Sequence, residues 1–148
     1  MLPQVDLDNA VEEAVTGALS FNGQRCTALK ILFVHEAVLD GFLERFAARV
    51  NALKAGMPWE PGVALTPLPE PGKTDYLHAV LEDAVAKGAR VINAGGGESH
   101  QTFFQPAVLS PVDSSMRVYH EEQFGPLVPV VPYRDLQEVI DYVTRKYG

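Results

Sequence analysis

Apolar residues recur at helical spacing in four stretches of the chain, and short apolar runs that break this rhythm lie between them. Leu7, Ala10, Val11, Ala14, Val15, Ala18 and Leu19 fall on one face of a predicted first helix, which Asp6 or Asp8 can cap and which runs to about Ser20. Glu12 and Glu13 take its other face. Val38, Leu39, Phe42, Phe46, Val50 and Leu53 predict a second helix from Glu36 to Leu53. Tyr76, Leu77, Val80, Leu81 and Val85 predict a third, from Lys73 to Lys87, closed by Gly88. Val139, Ile140 and Val143 face inward from a last helix, Leu136 to Lys146, capped by Asp135. The interposed runs Leu29–Val34, Arg90–Ile92, Phe103–Leu109 and Leu127–Val131 read as strands. Pro106 splits the third of these, which places it at an edge or a bulge. From Ala55 to Gly72 three glycines and five prolines exclude regular structure, and so long a loop is either functional or packed across another surface. Strands alternating with helices predict a three-layer α/β/α domain with a largely parallel sheet.

Composition narrows the class. A chain of 148 residues, 47% apolar and 21% charged, fits one globular domain with a real core. The net charge of −7 and the lack of a Lys/Arg cluster argue against a nucleic-acid role. No apolar run reaches the ~18 residues of a membrane span, and Met1–Asp6 lacks the basic and apolar regions of a signal peptide. A single cysteine excludes an internal disulfide, so a cytoplasmic setting is expected. His35, His78, His100 and His120 are scattered, and no metal site is expected.

Two stretches carry chemistry. In Phe21-Asn22-Gly23-Gln24-Arg25-Cys26-Thr27-Ala28-Leu29-Lys30 the only cysteine sits between a predicted helix and a predicted strand, held firmly yet reachable. A thiol attacks carbonyl carbon as its thiolate. Arg25 supplies an adjacent positive charge, and backbone N–H groups at Cys26 can stabilise the oxyanion that attack creates. Taken alone, Cys26 reads more readily as an inert buried residue than as a nucleophile. The second stretch is Glu121-Glu122-Gln123-Phe124-Gly125-Pro126. A carboxylate there can accept two hydrogen bonds from a ribose diol, and a nearby ring can pack beside a flat heterocycle. Adjacent carboxylates on one strand point opposite ways, which argues against a shared acid/base role. Gly95-Gly96-Gly97 lacks the lysine and helix start of a phosphate cradle and reads as a plain turn.

These stretches resemble a known family. Gly23-Gln24-Arg25-Cys26-Thr27-Ala28 is similar to the nucleophile motif of the aldehyde dehydrogenase superfamily, and Glu121–Pro126 to its cofactor motif, in matching order and separation. Ala89-Arg90-Val91 and Phe103–Leu109 resemble the segments between them. The likeness runs from Val5-Asp6-Leu7-Asp8 to Tyr147-Gly148. Within the superfamily, Arg25–Lys30 is most similar to non-phosphorylating NADP-dependent glyceraldehyde-3-phosphate dehydrogenases.

The resemblance implies that Cys26 attacks an aldehyde, that the adduct passes hydride to NAD or NADP, and that water hydrolyses the resulting thioester. It implies that Glu122 holds the nicotinamide-side ribose, that Phe124 packs near that ring, and that Arg25 and Thr27 border the substrate. A guanidinium suits a phosphate, because it offers paired donors at fixed charge; Arg25 can equally be a loop anchor. Members of the family are about three times this length. Their general-base glutamate and oxyanion asparagine precede the cysteine, so residues 1–148 are expected to be a cysteine-bearing catalytic domain without the cofactor-binding domain. Such a domain is expected to be inactive alone and to self-associate through exposed apolar surface as a homo-oligomer. Two rivals are a catalytically silent assembly module of the same fold and a cysteine hydrolase using a distant histidine such as His120.

Overall fold

The structure is a computed structural model and describes residues 1–147; Gly148, the end of the resembling stretch, lies outside them. Helix α1 spans Leu7–Leu19, and Asp6 caps it by accepting the amides of Asp8 and Asn9 on Oδ1. A single 3-10 turn, Ser20–Gly23, follows. Strand β1 (Leu32–His35) runs directly into α2 (Glu36–Asn51), where His35 Nδ1 accepts the amide of Ala37. Then come α3 (Lys73–Ala86), β2 (Arg90–Val91), β3 (Ser99–His100), β4 (Phe103–Phe104), β5 (Ala107–Ser110), the short α4 (Arg117–His120), β6 (Leu127–Tyr133) and α5 (Leu136–Tyr147).

The main sheet has the order β1-β6-β5-β2. β6 runs parallel to both β1 and β5, while β2 closes the far side antiparallel to β5. Strands β3 and β4 form a separate hairpin. Because side chains alternate across a strand, each central strand feeds two cores. Leu32 and Val34, Val108, and Val128 and Val130 face α1 and α2, joining Phe42, Phe46 and Val50. Phe33, Ala107 and Leu109, and Leu127 and Val131 face the other way, joining Leu77, Val80 and Ala84 of α3 and Val118 of α4. The result is the three-layer α/β/α arrangement with a largely parallel sheet that the sequence pattern predicts.

Several local readings are corrected. β1 starts at Leu32 rather than Leu29, because the amide of Leu29 bonds to Gly17 O on α1 and Lys30 turns back to Gly23. β5 is interior, not an edge: Pro106 precedes it, and its carbonyl accepts Asn93 Nδ2 at 2.8 Å. β6 continues through Pro132 to Tyr133, β3 falls where loop was expected and pairs with β4, the first part of the run Phe103–Leu109 read as one strand, and the short α4 was not anticipated. Helix α5 does not bury its apolar side: Leu136, Ile140 and Val143 are 50%, 48% and 49% exposed, while Val139 and Tyr142 are half-buried. The proline-rich stretch 55–72 packs across the domain, with Leu65 and Leu68 buried. The Gly95–Gly97 turn is structural: a side chain on Gly96 would collide with Val91 and with Asn93, whose own amide is spent on the backbone. No helix among the described residues is long and apolar enough to cross a membrane.

Candidate active site

The cysteine turn is built by left-handed backbone. Phe21, Asn22 and Gly23 have φ of 54°, 56° and 70°, which reverse the chain as it leaves α1. Asparagine tolerates this region better than other L-residues, and Asn22 is fixed by two bonds across the domain. Its Nδ2 donates to Thr66 Oγ1 at 2.9 Å, and its Oδ1 accepts the amide of Thr66 at 3.1 Å. Beyond Gly23, Ala28 N donates to Arg25 O at 3.1 Å, closing a turn with Cys26 and Thr27 at its crest. Neither the Cys26 nor the Thr27 amide has an acceptor among the described residues, so both donors are available to a ligand. The Cys26 thiol is exposed.

The second motif meets this turn at Gly125. A Cβ built on Gly23 would lie 2.6 Å from Gly125 O and 2.9 Å from Ala18 O, so the two motifs touch backbone to backbone. Lys30 adds a second tie: Nζ donates to Gly23 O at 2.7 Å and stands 4.3 Å above the Phe124 ring. Phe124 itself has φ of 44°. Through these contacts Cys26 and Glu122 border one cleft of about 560 Å³, together with Lys30, Phe33, Tyr119, Glu121 and Tyr142.

The adjacent glutamates have different surroundings, though not by the expected route. They lie in a linker after α4 rather than on a strand, and both border the cleft. Glu121 is occupied: Arg117 Nε donates to it at 2.7 Å and Tyr76 OH at 2.8 Å. The hydrogen bond from Arg117 holds its carboxyl below the usual carboxylate range, with Tyr76 adding to the effect. Glu122 is exposed, and no hydrogen bond or ion pair engages it among the described residues. Gln123 is buried and donates to Leu127 O at 2.8 Å, which makes it a strut of the loop.

Of the other predicted residues, Arg25 and Thr27 are exposed on the outer side of the turn and do not border this cleft. The Arg25 guanidinium sits 5.2 Å above the Phe21 ring. Phe124 lines an adjacent groove of about 480 Å³ with Phe21, Asn22 and Gln24. His120 is spent on Ser114 O and does not border the cysteine cleft, which removes geometric support for a Cys26–His120 dyad. Sequence reasoning passed over Lys30, Asn22, Tyr76 and Arg117. The four-residue spacing of Arg117 and Glu121 was a legible signal; the reach of Lys30 to Phe124 depends on the fold.

Burial, and then the bond to Glu121, push the Tyr76 phenol up to about 12. A raised phenol contributes stability that is fully present below its ordinary value of 10 and lost as pH climbs through about 12. Denaturant midpoints from neutral to alkaline pH are therefore expected to fall more steeply for the parent chain than for Tyr76→Phe. Parallel curves would dissociate Tyr76 from alkaline stability.

Residues 1–147 match the aldehyde dehydrogenase family. The chain is 40% identical over 141 residues to the NADP(+) succinate-semialdehyde dehydrogenase of Deinococcus radiodurans, covering 95% of this chain and 30% of that protein. It is 32% identical over 154 residues to the 3,6-anhydro-alpha-L-galactose dehydrogenase of a Vibrio species, covering 100% and 32%. Among solved structures, NADP-dependent glyceraldehyde-3-phosphate dehydrogenase from Bacillus halodurans, complexed with NADP, superposes with a TM-score of 0.90 at 31% identity. That match covers 97% of this chain and 30% of the other. The chain thus spans about a third of the length of the curated relatives it matches. With a match over essentially its whole described length, the chain belongs to the aldehyde dehydrogenase family.

Proposed function

We propose that this chain supplies the nucleophile and the ribose-binding carboxylate of an NAD(P)-dependent aldehyde dehydrogenase, which oxidises glyceraldehyde 3-phosphate to the carboxylic acid through a thioester on Cys26. The observation that carries this reading is the convergence of Cys26 and Glu122, distant in sequence, on one cleft. The residues present fit the nicotinamide half of the cofactor: Glu122 is an unengaged carboxylate suited to a vicinal diol, and Phe124 offers a ring held by Lys30. Among the described residues the glycine-rich turn Gly95–Gly97 is packed shut at Gly96 and offers no cradle for the cofactor's phosphates. The cofactor-binding domain, the general base and the oxyanion side-chain donor are accordingly assigned to residues outside 1–148, and the chain alone does not turn over aldehyde.

In this mechanism Cys26 Sγ, as the thiolate, forms a bond to the aldehyde carbon, and the carbonyl oxygen becomes an alkoxide. The free amide of Cys26 donates to that oxygen. NAD(P)+, when bound, supplies the hydride acceptor. Loss of hydride from the former aldehyde carbon re-forms its C=O and leaves the acyl group on Sγ. Water then adds to the thioester carbon, the C–S bond breaks, and the acid leaves as the thiol is restored. Arg25 and Thr27, exposed on the cysteine turn outside this cleft, are assigned to the part of the substrate that extends beyond it, where the guanidinium would meet an anionic tail.

The test uses the intact enzyme that carries this chain, with glyceraldehyde 3-phosphate, succinate semialdehyde and an uncharged aldehyde compared under NADP+ and NAD+. Arg25→Ala is expected to raise KM for the phosphorylated aldehyde about 10- to 100-fold, the loss of one charged hydrogen-bond set. The uncharged aldehyde should be unaffected. An equal KM for all three substrates in the parent enzyme would reject the phosphate assignment. So would a preference for succinate semialdehyde that Arg25→Ala abolishes, in that case in favour of a carboxylate tail.

A further inference from the structure

Lys30 is a charged residue set in an otherwise apolar run, and its side chain is half-buried. It doubles back beneath the cysteine turn, donates to Gly23 O at 2.7 Å, and rests its ammonium 4.3 Å from the centre of the Phe124 ring. It also borders the cleft shared by Cys26 and Glu122. One half-buried cation therefore touches the start of the nucleophile turn and the aromatic residue of the second motif. The stem alone would pack as well in a methionine or leucine. What those residues lack is the ammonium, whose position is specified from two sides by the carbonyl and the ring.

We infer that Lys30 is a positioning residue for the Cys26 site, clamping the cysteine turn to Phe124 and supplying the positive charge that favours the Cys26 thiolate. The inference rests on the reading of Cys26 as the nucleophile. Arg25, although adjacent in sequence, is a weaker source of this field, because it is exposed over Phe21 and screened by solvent. The charged groups that face Lys30 are Glu122 and Cys26, which raise its pKa, and Lys73, which lowers it. Burial is the largest influence and lowers it. Glu121, neutralised by Arg117, and Lys146 complete the charged rim of the cleft. Burying an ammonium beside a thiol and a free carboxylate is costly unless the anions repay it, and the thiolate is the anion a nucleophile site needs.

The test is the pH dependence of Cys26 alkylation by iodoacetamide on the 148-residue chain, followed by mass spectrometry. It needs neither cofactor nor aldehyde. Lys30→Gln keeps a donor for Gly23 O but loses the charge, and it should raise the alkylation midpoint by about half to one pH unit, slowing labelling near neutrality about three- to tenfold. Lys30→Arg, which keeps the charge, should restore the parent midpoint. Circular dichroism checks that each variant folds, and if Lys30→Gln does not, Lys30→Met replaces it with the same expected shift. A midpoint unchanged by charge removal, with labelling abolished in Cys26→Ser, overturns the inference. Failure of the intact enzyme to oxidise any aldehyde would instead reject the proposed function, and the alkylation midpoints separate the two failures.

Discussion

Gly23→Ala is expected to lower the melting temperature of the chain by about 10 °C. Two costs combine. The backbone at Gly23 has φ of 70°, a region that costs an L-residue about 1–2 kcal/mol. The added Cβ would also lie 2.6 Å from Gly125 O and 2.9 Å from Ala18 O, and both obstacles are main chain rather than mobile side-chain tips. Forcing such contacts apart costs typically 1–3 kcal/mol. Taken together this is about 3 kcal/mol, and a domain of this size loses roughly 3–4 °C per kcal/mol. Gly62→Ala is the internal control. Gly62 has φ of 75° but nothing within 4 Å of its built Cβ, so it carries the backbone cost alone and should lose only about 3–8 °C, less than Gly23→Ala. Equal shifts in the two variants would mean that the Gly23–Gly125 contact is not what joins the motifs.

The second large effect is chemical. In the intact enzyme, Cys26→Ser is expected to reduce aldehyde oxidation by about a thousandfold or more, because removing an essential nucleophile leaves only the catalysis of the surrounding site. Serine keeps the size and the turn geometry, but its hydroxyl ionises far less readily than a thiol and its oxygen is a poorer leaving group from the acyl intermediate. Stability should be unchanged, since the side chain is exposed and buries nothing. Residual oxidation within about tenfold of the parent would remove Cys26 from the reaction.

Most of the architecture was legible because it follows from periodicity. The helical faces of α1, α2 and α3 bury or half-bury the residues their spacing selects, with Phe42, Phe46, Leu77 and Val80 fully enclosed and Val85 of α3 left exposed. What the pattern could not give was set by contacts far apart in sequence. Leu29–Ile31 is as apolar as a strand but is held off the sheet by the Leu29–Gly17 bond and by the reach of Lys30. β5 begins after its proline and lies in the sheet interior, so Pro106 takes no part in its ladder, and interior β6 carries Pro129 and Pro132 within the strand, which a reading of proline as an edge marker does not anticipate. α5 has a strongly sided sequence, yet Ile140 and Val143 are left half exposed, because periodicity identifies an apolar face without saying what covers it. The site divides in the same way. Cys26 and Glu122 were visible as motif residues, whereas the Gly23–Gly125 contact and the Lys30 clamp that join them exist only once the chain is folded.

The central claim is that Cys26 carries the acyl group during aldehyde oxidation. It is tested most directly by acid-quenching the intact enzyme during turnover with NADP+ and aldehyde and measuring the mass of the peptide that contains Cys26. The account predicts that this peptide gains the acyl group of the substrate in place of the thiol hydrogen. The gain should depend on the oxidised cofactor and disappear under hydroxylamine. Steady NADPH formation with an unmodified Cys26 peptide, or with the acyl group on another residue, would contradict it.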